Sequence, residues 1–227
     1  GSSRTRTPPP RSGATRKSGT GARSFVGSGV RLRLLLKRYA GFARTPVDTA
    51  VSFAEEPGYE AILLLVGLEA VAAAILAAVG FRSQLFYLSF SMLGLTMQGA
   101  ASVWSAALLA ALHSVVRLAV LSGVFYLYFR FLLRMRTGFR DIAAAVAPAS
   151  APMTVLMLIA CFSASSTTPL ATLTLVLGFL MGILLMFFTF RRLLGLGDNQ
   201  TAMLLLFGHL LYFSVLSLLV GSFRLLA

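Results

Sequence analysis

Four ionisable side chains, Glu69, His113, Arg117 and His209, lie deep inside long apolar stretches of this 227-residue chain. A charge held in hydrocarbon is costly, so each needs a partner or a task. Glu69 falls near the middle of EAILLLVGLEAVAAAILAAVG and Arg117 near the middle of another apolar run, so antiparallel neighbours would bring a carboxylate to a guanidinium. His113 precedes Arg117 by four residues and therefore shares its helical face. The trio Glu69, His113 and Arg117 admits two readings: an ion pair that pins helices together, or a path for protons or anions. His209 reads as a packing residue held by a hydrogen bond.

Other chemistry is poorly provided for. The chain has no phosphate-binding glycine loop, dinucleotide fingerprint, nucleophile elbow or thiol pair. The single cysteine, Cys161, rules out a disulfide framework. Two histidines without HExxH or paired-carboxylate spacing give no metal site, and at most a pair of axial ligands for a haem. The expectation is a non-enzymatic protein with no metal and no cofactor, bound phospholipid aside.

The elements that must position these groups follow from composition. Hydrophobic residues make up 57% of the chain and charged residues 12%, too little polar surface for a domain facing water. Backbone groups in hydrocarbon must pair within their own segment, so runs of Leu, Ala, Val and Phe mean helices. The expected fold class is all-α: a polytopic transmembrane helical bundle of about five spans, with a basic N-terminal tail and an interfacial amphipathic helix. The spans fall near 60–80, 102–129, 140–162, 170–190 and 201–222, with Pro148 and Pro152 kinking the third. Residues 84–99 are apolar enough for a further crossing, and read instead as a shallow or re-entrant approach.

Charge bias supports the odd number of crossings. Five spans gather seventeen of the 20 Lys and Arg residues on one side: eleven between Arg4 and Arg44, four between Arg130 and Arg140, and two at Arg191 and Arg192. Arg82 and Arg224 fall on the other side. The loop SASSTTP, Ser163 to Pro169, carries no charge, as an outside loop should.

Three regions organise the chain: residues 1–30, a basic Pro/Gly/Ser/Arg-rich extension; 31–57, an amphipathic membrane-surface segment; and 58–227, the bundle. The extension buries too little apolar surface to offset chain entropy, so neighbouring subunits of a large assembly are expected to hold it. Its Arg/Ser-rich, acid-poor start fits a trimmed organellar presequence, or else Gly-Ser-Ser is a tag remnant. In RLRLLLKRYAGFAR, Leu34, Leu35 and Phe42 can face lipid while Arg31, Arg33, Lys37, Arg38 and Arg44 reach headgroups. Arg130, Arg134 and Arg136 extend this headgroup surface. Thr45 before Pro46 is a candidate helix N-cap, with Asp48 in the first turn. Gly178 and Gly182, at a spacing of four, would let helices pack closely. The net charge of +13 points to anionic lipid such as cardiolipin and not to nucleic acid, because the basic residues cluster at the tail and span ends.

The segment TPVDTAVSFAEEPGYEAILLL resembles the opening of a Yip domain, where a Pro, an aromatic and an acidic/Pro pair precede the first span. TGFRDIAAAVAPASAP is similar to that family's lead into its third span, and ALHSVVRLAV and GLGDNQTAMLLL to its second span and fourth-to-fifth turn. The resemblance implies five spans over roughly Thr45 to Val220. Eukaryotic members are implied to serve vesicle trafficking with small GTPases, through a cytosolic N-terminal region.

Together these readings predict an accessory or structural subunit of a large membrane complex, of the respiratory chain or ATP synthase, in the mitochondrial inner membrane. A Yip-like trafficking protein of Golgi or ER, with a small GTPase partner, is the alternative, and a plastid membrane a further location. A small transporter or proton conductor built on Glu69, His113 and Arg117 is the third reading.

Overall fold

A computed structural model of the chain describes residues 27–55, 59–81, 102–164 and 168–226. The expectations for residues 84–99 and for most of the basic extension lie outside them. Every element among the described residues is helical.

Helix α1, Gly27–Tyr39, runs through a 3-10 turn, Ala40–Ala43, into α2, Pro46–Ala54. It starts inside the stretch expected to be extension. Pro46 presets the first turn of α2 and Asp48 complements its dipole, but Thr45 caps no backbone N–H with its side chain. Its hydroxyl lies instead 3.4 Å from that of Thr49.

The bundle begins with α3, Glu60–Gly80. Next comes α4, Val103–Leu127, opened by a capping box in which Ser105 N–H donates to Ser102 Oγ and Ser102 N–H to Ser105 Oγ. A π-helical turn, Tyr128–Leu132, extends α4. The third crossing is broken into α5, Phe139–Val146, a 3-10 turn, Ala147–Ala149, and α6, Ser150–Ala164. Pro148 forces that break, since it supplies no N–H and its ring crowds the preceding turn. Helix α7, Thr168–Leu194, ends on Arg191 and Arg192 before Gly195, whose φ of 63° closes the helix in the left-handed region that glycine adopts without strain. Helix α8, Asp198–Leu226, completes the chain. Among the described residues, four segments are long and apolar enough to cross a membrane: Glu60–Gly80, Val103–Leu132, Phe139–Phe162 and Pro169–Leu194.

The packing gives each helix its direction. Ala72, Ala73, Leu76 and Ala77 of α3 meet Ala106 and Ala110 of α4, while Glu69 meets Arg117, so α3 and α4 run antiparallel. The small side chains on both faces let the two backbones approach closely. Residues Ala61 to Val66 of α3 pack on Ala143 to Ala151, and Ala72 to Ala77 on Met153 to Ala160, so the α5–α6 rod runs parallel to α3. Phe125, Phe129, Phe190 and Leu204 bind α4, α7 and α8 into a third cluster. These directions bring the C-terminal end of α4, the N-terminus of α5, the end of α7 and the start of α8 to one end of the bundle. Arg130, Arg134, Arg136, Arg140, Arg191 and Arg192 all lie there.

The α1–α2 hairpin docks on that same end. Leu35, expected to face lipid, is buried against Ala61, Ile62 and Ala143, and Phe42 stacks on Phe53 at 5.5 Å. Leu34 alone of the three expected residues keeps an outward face, at 57% exposure. Leu35 turns inward because the hairpin seats it on α3 and α5, with Phe53 of α2 in the same apolar cluster, while Leu34 and Leu36 stay exposed.

Candidate functional site

The interior polar site is built from the antiparallel middles of α3 and α4. Glu69 is fully buried, and Arg117 Nη2 donates to both of its carboxylate oxygens at 2.6 Å. One guanidinium nitrogen serves both oxygens, leaving Arg117 Nε buried without a partner. His113 lines the same cavity as Glu69 and Arg117, with its Nε2 also unpartnered. The structure thus brings together the three residues that the sequence singles out.

Two groups from α8 join them: His209, read from the sequence as a packing residue held by a hydrogen bond, and Tyr212, which no spacing marked. Tyr212 lines the cavities on both sides of Arg117, and its hydroxyl is buried without a partner. His209 Nδ1 donates to the Leu205 carbonyl at 2.8 Å, since a carbonyl only accepts. Its Nε2 is left facing inward as an unpartnered acceptor. A polar face on α8 at positions 209 and 212 is too short to stand out within an apolar helix. Each of the two cavities amounts to about 20 Å³, the room of a single water, and each has several polar wall groups. The arrangement can hold a proton-exchanging network, and it can equally lock three helices in register.

Gly178 and Gly182 face the start of α6, as helix-packing glycines. A Cβ on Gly178 would meet Met153 Sδ at 3.1 Å, and one on Gly182 the Ala149 carbonyl oxygen at 3.0 Å. Gly208 is a closer case that no motif marked. The Phe125 ring lies directly over its Cα, where any Cβ would overlap it.

The expected headgroup residues divide. Arg33, Lys37 and Arg44 are exposed on the hairpin, and Arg31 lies within α1. Arg38 departs from its expected role: its Nη2 donates to the Ser52 carbonyl at 2.8 Å, and its guanidinium lies 5.2 Å from the Phe53 ring centroid. It ties α1 to α2 because the fold-back presents a free carbonyl and an aromatic face together. Tyr39 makes the next tie, donating to the Ala151 carbonyl at 3.1 Å. Burial raises the Tyr39 phenol above its ordinary pKa, the Thr154 hydroxyl opposing this and the Glu69 carboxylate adding to it. Between the hairpin and helices α6 and α7 runs an apolar groove of about 620 Å³, walled by Phe42, Val47, Val155, Leu184 and Phe188 among others. Arg130, Arg134 and Arg136 stand exposed beyond α4.

Helices of this length and apolarity, packed around a buried ion pair and carrying their arginines at one end, define an integral membrane protein of the helical class. Compared with family models, curated proteins and solved structures, the chain gives no match.

Proposed function

We infer that this chain is a non-enzymatic accessory subunit of a large membrane assembly in the mitochondrial inner membrane, crossing the bilayer five times. Its arginine-rich end faces the matrix and meets partner subunits and anionic lipid. One observation carries this reading: an amphipathic hairpin is docked on the end of the bundle where the arginines gather, while the flanks stay apolar. Leu63, Leu108, Leu112, Leu173 and Leu184 are each more than half exposed, as a surface in contact with acyl chains or neighbouring helices would be. Helix α8, with 29 residues, is the fifth crossing; at about 1.5 Å per residue it is long enough. The Yip-domain resemblance agrees with that count.

Mass spectrometry of whatever co-purifies in mild detergent tests the reading. Partner subunits at fixed stoichiometry are expected, and a lone, monodisperse chain would overturn it. Labelling of both termini from one aqueous side in sealed vesicles would overturn the five-span topology.

The unpartnered groups around Arg117 favour a second reading, proton movement through the bundle. In liposomes, a Glu69→Gln protein should then lose proton flux, and wild-type flux from that variant removes this reading.

A further inference from the structure

We propose that the turn between α4 and α5 binds a phosphate group, carried by a lipid headgroup or free in solution. The proposal deepens the reading of the arginine-rich end as a headgroup surface and rests on it.

Helix α4 does not end as an ordinary helix. Its last turn widens, so that Leu133 N–H reaches the Tyr128 carbonyl at 3.3 Å and Met135 N–H the Phe129 carbonyl at 3.0 Å. Such π-turns recur at functional sites. Arg134 then adopts a φ of 52°, a left-handed conformation that costs a residue with a side chain free energy. This strained turn sets Arg130, Arg134 and Arg136 around one open cleft of about 530 Å³, closed by Tyr126, Thr137 and Gly138. Clefts of that size are typical of small-molecule sites.

The wall has the chemistry of an anion site. None of the described residues lining it is acidic. Asp141, the nearest carboxylate along the chain, accepts from Gly138 N–H at 3.2 Å and lies 3.8 Å from Arg140. Arg130 is steadied by the Tyr126 hydroxyl at 3.3 Å, and the Thr137 hydroxyl is buried without a partner. Three like charges around one space repel one another, and a phosphate oxyanion reverses that balance. Guanidinium forks match its oxygens two at a time, and a hydroxyl can add a further donor.

Binding to the full-length protein in detergent is measured with two probes: inorganic phosphate, and mixed micelles of phosphatidate in phosphatidylcholine. Arg134→Gln and Arg136→Gln should each weaken phosphatidate binding about fivefold, while Arg191→Gln, at the same end but outside the cleft and paired with Asp198, should leave it little changed. Competition by inorganic phosphate assigns free phosphate as the ligand, and lipid binding without competition assigns the headgroup. Equal losses from all three variants would mean diffuse attraction and overturn the proposal, as would failure of both probes to bind. Arginine labelling of the wild-type protein gives a check independent of variants: bound phosphatidate should protect Arg130, Arg134 and Arg136, and unchanged labelling there overturns the site. Partner co-purification is measured separately, so failure of the site and failure of the subunit reading are distinguishable.

Discussion

Arg117 Nη2 donates to both carboxylate oxygens of Glu69, joining α3 to α4 across 48 residues of sequence. A buried pair of this kind contributes little net stability compared with well-packed apolar residues, yet breaking it leaves an uncompensated charge. Glu69→Leu should therefore destabilise the protein by about 3 kcal/mol, and Glu69→Leu with Arg117→Leu by less. Thermal unfolding in detergent measures both. Greater damage in the double variant would show that the pair is not what Glu69 supplies.

Gly208 lies under the Phe125 ring, which also packs on Phe190 at 5.1 Å between centroids and on His209 at 6.0 Å. With neighbours on several sides the ring has little freedom to retreat. Gly208→Ala should cost about 2 kcal/mol through overpacking, outweighing the gain of about 1 kcal/mol in helix propensity. A neutral or raised melting temperature for that variant would show that α4 and α8 are not held this closely.

Tyr39 couples the hairpin to the bundle in a pH-dependent way. Burial raises its phenol above the ordinary value, so the neutral hydroxyl that donates to Ala151 is the form the fold prefers. Stability from this group is present below the ordinary tyrosine pKa of about 10 and is lost as pH rises through the raised value. Melting curves of wild type and Tyr39→Phe between pH 8 and 12 should converge at the alkaline end. At pH 8 the variant should be weaker by about 1 kcal/mol. A constant gap between the curves across that range would rule the coupling out.

Arg192 pairs with Asp48 across the docked hairpin, and Arg191 with Asp198, in both cases with more than 48% of each side chain exposed. Water and salt screen such pairs, so Asp48→Asn should change stability by no more than about 1 kcal/mol. A larger loss, unaffected by added salt, would mean that the pair anchors α2 to α7 more firmly than exposed ions can.

Much of the bundle was legible because lipid removes alternatives. Four of the expected crossings, near 60–80, 102–129, 140–162 and 170–190, coincide with helices long and apolar enough to span. The kink in the third was readable from Pro148, whose missing N–H acts locally. The meeting of Glu69 with Arg117 was readable too, since two lone charges in apolar runs have few ways to be compensated. Leu35 and Arg38 were misread for one shared reason. Each was assigned from its own helix, whereas its partner, Ala61 or Ser52, is supplied by a segment that had to fold back first.

Helix formation and the clustering of arginine along the chain follow from the amino acids alone, because backbone pairing and charge solvation are satisfied residue by residue. The conversion of His209 and Tyr212 into walls of the Arg117 cavities, the ring over Gly208 and the gathering of Arg130, Arg134 and Arg136 around one cleft were decided only by tertiary packing. Those relationships depend on the angle and depth at which helices meet, and side chains far apart in sequence set both together.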